Sequence, residues 1–330
     1  YILAIAGVIF LEALTLKVLC SIIIGLKIST LFVIAHDAAH SSLTNNTMLN
    51  KVIARLAFLP SYHNYSLWLI AHNKSHHQST NLQDKNSWSP LSKDEYEDLP
   101  KWRKNVERFY RSPLGMSFYY IVERWWKNKF IPYKNIIGKK KLSYWTDFLF
   151  AASYMILYLF FLIQAGNMLI HTSSIEALIL GFFVPLVISS FMMGFTVYQQ
   201  HTHESIPWFL SRNERDDHVK IEEITMHVKF PHWYNVLSHN TMAHTAHHVD
   251  SRIPLYNLAK AQGVLNNLLG DELTTISFTL KEFLSTMRKC KLYDYDNHQW
   301  LGFNGLPSSE ISLIDRGKDI EIEIEYTQAA

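Results

Sequence analysis

The sequence is poor in cysteine and in charge, and both shortages exclude classes of protein. Its 330 residues include two cysteines, Cys20 and Cys290, which are too few for the disulfide framework of a secreted domain or for the four thiolates of an iron–sulfur cluster. The 31 basic and 29 acidic side chains leave no excess of positive charge for binding nucleic acid. A glycine-rich fingerprint for a flavin or nicotinamide cofactor is also absent from the sequence. With 48% hydrophobic residues, the chain is too apolar to be disordered.

Two long runs without a charged residue indicate membrane-spanning helices. They cover residues 148–170 and 177–198, and each is long enough to cross a hydrocarbon core of about 30 Å as a helix. The polar link at 171–176 is short, so the two helices are expected to form a hairpin that enters and leaves on one side of the membrane. A buried hairpin of a soluble protein is the alternative, and these lengths disfavour it.

The first 35 residues are also mostly apolar, although Glu12, Lys17 and Lys27 interrupt them. This stretch is too short for two full spans. We interpret it as the remnant of one clipped span followed by a second span at 18–35, and not as a cleaved signal peptide, because it lacks a charged start and a small-residue cleavage site.

The basic residues predict which side of the membrane each segment faces. Residues 101–141 contain twelve Lys or Arg against Glu107 and Glu123, which is typical of a cytoplasmic segment next to a span. The hairpin then returns the chain to the cytoplasm at Gln199. We therefore expect an integral membrane protein, of the bacterial inner membrane, whose site faces the cytoplasm.

The predicted fold class is an all-α integral membrane protein, in which transmembrane helical hairpins carry a cytoplasmic helical cap. Five segments follow from this prediction: a clipped N-terminal transmembrane region (1–35), a cytoplasmic segment (36–147), the transmembrane hairpin (148–198), a second cytoplasmic segment (199–300) and a polar tail (301–330). In the tail, residues 319–325 alternate between acidic side chains and isoleucine, which indicates an exposed strand or disorder.

The sequence is rich in histidine, and ten of the seventeen histidines fall into four tight groups on the predicted cytoplasmic side. These groups are His36 and His40; His72, His76 and His77; His201 and His203; and His244, His247 and His248. An i, i+4 pair shares one helix face, so its two rings can converge on one ion. Neighbouring histidines diverge by about 100° around an α-helix, so they can reach two different ions.

The number of histidines favours a site with two metal ions. The eight histidines of three of these groups, all but His201 and His203, exceed the four ligands of a single zinc. Neutral imidazole suits iron, copper, nickel and zinc alike, so the ligand type does not select the metal. The Glu-x-x-His pairs of ferritin-like carboxylate sites are missing. The seven single histidines are expected to be core or interface residues: His63, His171, His218, His227, His232, His239 and His298.

Polar residues beside the histidines are candidates for hydrogen bonds to the outer ring nitrogens. Helix capping or turn formation is the alternative role for each of them. They are Asp37, Asn81, Asp84, Asn86 and Asp250.

The three boxes HxxxH, Hx(2–3)HH and HxxHH resemble those of the membrane fatty acid desaturases, specifically the acyl-lipid Δ12/ω-6 type of bacteria and plants. The resemblance covers roughly residues 31–265. It extends to five further stretches: Leu56–Pro60, Thr80–Asn81, Trp88–Pro90, Gln200–His203 and Pro254–Tyr256. Box one reads HDAAH where many members have HDCGH, and QHTHE stands where QHTHP is common, so the position of the double bond does not carry over.

This resemblance implies two iron ions (Fe²⁺/Fe³⁺) held by the eight box histidines and by one more histidine after the last span. His201 is the expected ninth ligand, and His203 is its alternative. The implied reaction uses O2 and two electrons to introduce a cis double bond into a lipid-linked acyl chain, held in an apolar tunnel among membrane lipids. The electrons would come from a separate, ferredoxin-like donor.

Three other functions are possible for such a sequence. A hydroxylase or ketolase of carotenoids or alkanes can use the same scaffold, and the residues around box two favour the desaturase over it. In an intramembrane metalloprotease, HDAAH would have to replace HExxH, which leaves the other boxes unexplained. A non-catalytic membrane receptor would bind no metal.

Overall fold

The computed structural model describes residues 1–84, 86–132, 141–168 and 171–310. The alternating pattern at 319–325 therefore lies outside the described residues. The described chain is mainly helical, as predicted. Its α-helices are α1 (Ile2–Phe10), α2 (Leu14–Ala39), α3 (Thr47–Phe58), α4 (Tyr65–Leu69), α5 (Lys93–Asp98), α6 (Lys101–Tyr110), α7 (Gly115–Tyr119), α8 (Lys141–Met168), α9 (Ser174–Leu178), α10 (Val184–His201), α11 (Arg212–His218), α12 (His232–Leu237), α13 (His244–Val249), α14 (Leu255–Leu269) and α15 (Leu280–Lys289).

Several of these helices continue into tighter or wider turns. A π-helix follows α4, another follows α7, and a third joins α9 to α10. Their bounds are Ile70–His76, Tyr120–Phe130 and Ile179–Phe183. Short 3₁₀ turns lie at Leu59–Ser61, His77–Ser79 and Gly270–Glu272.

Two small sheets of two strands each add to the helical fold. Strands β1 (His227–Lys229) and β2 (Thr275–Ser277) are parallel, whereas β3 (Leu292–Asp294) and β4 (Gln299–Leu301) are antiparallel. The second pair contributes Trp300 to a small core around Trp208. The sequence does not predict these strands, because three residues are too few for a periodic pattern.

Three helices of the described chain are long and apolar enough to cross a membrane, and the chain is a membrane protein. They cover Leu14–Ala39, Leu142–Met168 and Ser174–His201. The second and third extend beyond the charge-free runs at 148–170 and 177–198, because polar flanking residues find partners. Asp147, for example, pairs with Arg55 at 2.7 Å and accepts a hydrogen bond from Ser66, so α8 begins before Phe148.

The first spanning helix packs closely against the third. A Cβ atom added to Gly25 of α2 would lie 2.7 Å from the Cβ atom of Ile188 in α10, so only glycine permits this approach. At the other end of the contact region, Lys17 reaches the tip of the α8–α9 hairpin and donates to His171 O, Thr172 Oγ1 and Glu176 Oε1. The hairpin and α2 therefore form one packed unit.

Candidate metal centre

Ends of several helices bring the histidines together. His36 lies in the last turn of α2 and His40 follows that helix directly. His201 is the last residue of α10, and His244 is the first residue of α13. These helix ends, together with the π-helix Ile70–His76, converge on one buried cluster.

Within the cluster, the histidines form two groups of four. In each group, one nitrogen from every ring lies within 4.8 Å of the other three. The first group is His36, His40, His72 and His247, and the second is His76, His201, His244 and His248. Boxes two and three thus each contribute to both groups, and adjacent histidines of each box point to different groups.

The spacing of the ring nitrogens fits metal binding. The Nε2 atoms of His36 and His72 are 3.0 Å apart, and those of His201 and His244 are 2.8 Å apart. Two nitrogens that each lie about 2.0–2.1 Å from one ion are separated by roughly 3 Å. Buried His40 Nε2 has no hydrogen-bond partner among the described residues, which suits a ligand atom.

His77 lies between the two groups. Its Nε2 atom is 3.1 Å from that of His72 and 3.2 Å from that of His247. Its ring stacks on His248, with the centroids 4.5 Å apart. His77 is therefore placed to complete the first group as a fifth imidazole.

The π-helix explains why the ring of His72 lies next to that of His77 as well as that of His76. In a π-helix the backbone bonds run from i to i+5, so each residue turns through a smaller angle than in an α-helix. Residues five apart then lie above one another. As a result His72 and His77 share the first group's side, while His76 turns to the second group.

Burial keeps four of these imidazoles neutral. Desolvation, followed by the neighbouring rings, lowers the pKa of His72, His244 and His247 well below the ordinary value of 6.5. The pKa of His77 falls to about 3 for the same reasons, with burial as the larger cause. Neutral imidazole is the form that binds a metal ion.

Two of the flanking polar residues lie within hydrogen-bond distance of the Nδ1 atom of a box histidine. Asn86 Oδ1 lies 2.6 Å from His76 Nδ1, so it accepts a hydrogen bond when that nitrogen carries the proton. Asp37 Oδ1 lies 3.1 Å from His36 Nδ1, and its other oxygen accepts from the backbone N–H of Leu255 at the start of α14. Both contacts fix the Nε2 atom of the ring toward the cluster.

The other three flanking residues have different partners. Asn81 donates to the Pro207 carbonyl, Asp84 donates its backbone N–H to Ser89, and Asp250 pairs with exposed Arg252. Over the described ranges, none of the three has a hydrogen bond or an ion pair to a box histidine. They stabilise loops, in line with the turn-forming alternative.

The structure separates His201 from His203. His201 belongs to the second group. His203 Nδ1 accepts from the backbone N–H of Ser205, and its Nε2 lies 3.5 Å from Glu282. The seven single histidines belong to neither group; His63, for example, contacts Ser61 and Tyr120.

An apolar cavity of about 510 Å³ borders both histidine groups. Its walls come mainly from α2, α10 and α12. Apolar lining residues include Ile23, Leu26, Met192, Val197, Trp233 and Leu237, and the lining histidines are His36, His72, His76, His244 and His247. A long apolar molecule in this cavity would lie against both groups.

One further residue of the site, Trp68, is not predicted by the histidine pattern. The indole of Trp68 stacks on His72 with ring centroids 4.4 Å apart and contacts His36 edge to face at 5.4 Å. Trp68 also lines the cavity. Its position four residues before His72 is the only signal in the sequence that indicates this contact.

The family of this chain follows from its similarity to known proteins. The family model described as fatty acid desaturase matches residues 13–279. The chain belongs to the fatty acid desaturase family. This desaturase is accordingly an oxidoreductase, and its buried histidine cluster is a metal site.

Relatives of this desaturase come from cyanobacteria and from plants. It is 27% identical over 285 residues to an sn-1 oleoyl-lipid 12-desaturase of Picosynechococcus sp., which covers 84% of this chain and 77% of the relative. It is 26% identical over 288 residues to the protein of the same name from Synechocystis sp., covering 86% and 77%. A chloroplastic omega-6 fatty acid desaturase of Glycine max is 27% identical, over 82% of this chain and 61% of the relative.

Proposed function

We propose that this desaturase introduces a cis double bond into a lipid-linked acyl chain, using O2 and two electrons. One observation carries the proposal: two groups of closely spaced histidines border the same apolar cavity. The overall reaction takes two hydrogens from neighbouring methylenes, adds two electrons and two protons, and releases two waters from O2. The cavity would hold the acyl chain and exclude bulk water from it.

The proposed metals are two iron ions, one in each histidine group. His36, His40, His72, His77 and His247 would hold the first, and His76, His201, His244 and His248 the second. When bound, such a pair supplies the redox chemistry that couples the reduction of O2 to the oxidation of the acyl chain. Asn86 and Asp37 orient His76 and His36, and Trp68 covers the ring of His72.

The names of the relatives support the substrate class. Proteins named for action on oleoyl lipids and for the omega-6 position suggest that this enzyme adds a second double bond to a monounsaturated chain. The electrons would come from a ferredoxin-like donor, because the sequence carries no fingerprint for flavin or nicotinamide and no cysteine cluster.

The division into five segments and the placement in a bacterial inner membrane are also proposals. Basic residues of the described segment 101–132 favour a cytoplasmic location for the histidine cluster.

Lipid analysis tests the proposed reaction. The chain is expressed, with a reduced ferredoxin system, in a bacterium that lacks polyunsaturated lipids, and the acyl chains are identified by mass spectrometry. We expect a new cis double bond in membrane lipids with the wild-type chain and none with His247→Ala. A hydroxylated acyl chain or carotenoid without a new double bond would show that the enzyme is a hydroxylase and not a desaturase.

A further inference from the structure

Two cations line the same cavity on the π-helix Tyr120–Phe130. Lys129 is 7% exposed and lines the cavity together with Arg124. The Nε atom of Arg124 is buried and has no hydrogen-bond partner in the described part of the chain. Ser87 and Tyr120 complete this polar part of the wall.

The carboxylates near this helix are already paired with other cations. Glu123 contacts Arg103 at 2.8 Å and Lys127 at 2.6 Å. Glu107 contacts Arg111 at 2.9 Å. Across residues 1–84, 86–132, 141–168 and 171–310, no carboxylate lies within 4.0 Å of a nitrogen of Arg124 or Lys129.

This arrangement leaves excess positive charge at an apolar cavity. An arginine remains protonated in proteins, so Arg124 keeps its charge. Burial, followed by repulsion from Arg124, lowers the pKa of Lys129 to about 7. The Tyr120 ring lies 5.3 Å from Lys129 Nζ and compensates this charge only in part, because it offers no carboxylate. An anionic ligand would supply the missing counter-charge.

We propose that Arg124 and Lys129 bind an oxyanion attached to the acyl chain, so that the cavity selects acyl molecules with a carboxylate or a phosphate. The inference rests on the proposed function only in that the cavity takes an acyl chain. Fixing the anionic group would also fix the position of the chain along the histidines. Ser87 lines the same part of the wall, whereas the Tyr120 hydroxyl already donates to His63 Nε2 at 3.0 Å.

Binding measurements without turnover test this selectivity. Quenching of tryptophan fluorescence by 9,10-dibromostearate is compared with quenching by the corresponding dibromo-alcohol, since Trp68 and Trp233 line the cavity. At pH 7 we expect the wild type to bind the carboxylate roughly tenfold or more tightly than the alcohol. The double variant Arg124→Gln/Lys129→Met should bind the carboxylate only as tightly as the alcohol. Its affinity for the alcohol should equal that of the wild type.

A charge on the same helix provides the matched control. Lys127→Met removes a cation that is 53% exposed and does not line the cavity, so the preference for the carboxylate should persist. If the double variant retains the wild-type preference, or if the wild type has none, the proposal is wrong. If the double variant binds neither ligand, Arg124→Gln and Lys129→Met are measured singly, and each must weaken carboxylate binding more than alcohol binding.

A second pair of ligands identifies the source of the anion. Phosphatidate and diacylglycerol with the same brominated chains are compared in the same assay. A preference for phosphatidate assigns the anion to a lipid headgroup, whereas a preference confined to dibromostearate assigns it to a free carboxylate. The binding assay uses no electron donor and no turnover. If cells show no new double bond, the proposed reaction is wrong, but the preference for the anionic ligand can still be measured.

Discussion

At the scale of single residues, the contact made by the outer nitrogen of a ring determines which nitrogen faces the cluster. Asn86 is the clearest case: its side chain lies between His76 and the Ser79 carbonyl, so it cannot rotate without losing a contact. Asp37 similarly joins His36 to the start of α14. Such residues set the orientation of the ligands in advance of metal binding.

Asn86→Ala should weaken metal binding about 10–100-fold, because the His76 ring loses the partner that orients it. Metal titration of the stripped protein measures this effect. Asn105→Ala, at an exposed position of α6, is the matched control and should bind metal as the wild type does. Equal affinity of the two variants would remove the positioning role from Asn86.

His201→Ala should lower the metal content by about one ion per chain, because His201 completes the second group. His203→Ala should retain the wild-type content, since its ring contacts Ser205 and Glu282 instead. Metal analysis of the two purified variants decides between them. The reverse ranking would transfer the ligand role to His203.

The spacing of the histidines indicated the candidate ligands, but only the family resemblance favoured His201 over His203. The choice depends on where α10 ends: Thr202 has extended backbone angles, φ −128° and ψ 111°, and these turn His203 away. Spacing alone does not reveal a helix end to within one residue. The roles of Asn81, Asp84 and Asp250 were likewise not readable from spacing. The partner of Asn81 is distant in sequence, whereas Asp84 and Asp250 have partners within five residues.

At the scale of elements, the hydrophobic pattern of the sequence does not distinguish the π-helix Ile70–His76 from an α-helix. A regular α-helix places His72 and His76 on one face, whereas the wider turn brings His72 to His77. A π-helix is rare and persists where tertiary contacts support it. Here the Trp68 and Asn86 contacts on either side provide that support.

Lys17→Met should destabilise the fold by about 1–3 kcal/mol, because it leaves the Thr172, Glu176 and His171 acceptors without their donor. Thermal unfolding in detergent measures this change. Lys51→Met, at an exposed position of α3, serves as the control and should leave the unfolding temperature unchanged. Metal content should remain at the wild-type value in both, since Lys17 lies 19 helical positions before His36 and thus roughly 30 Å from it.

At the scale of the whole molecule, the three spanning helices place the histidine cluster and the Lys17 network at opposite ends. The hydrophobic runs predicted the two helices of the hairpin, because length and apolarity alone define a span. They did not predict the cavity, which requires contacts between distant parts of the chain. The bond between Asp37 and Leu255, for example, joins residues 218 positions apart.

Cysteine labelling tests this topology. In a Cys20→Ala background, a cysteine at exposed His171 and one at exposed Asn105 should react with impermeant reagent from opposite faces of the membrane, because an odd number of spans separates the hairpin tip from α6. Buried Cys290 should stay unlabelled in both. Reaction of both positions from one face would be inconsistent with the hairpin.

The metal content of the anaerobically purified wild-type protein shows whether each histidine group holds one ion. Two groups of histidines predict two ions per chain, and we expect both to be iron when the protein is expressed with sufficient iron. Elemental analysis and Mössbauer spectroscopy report the number and the identity of the ions. A value near two irons per chain is the predicted result, and a single ion, or zinc alone, would contradict the account.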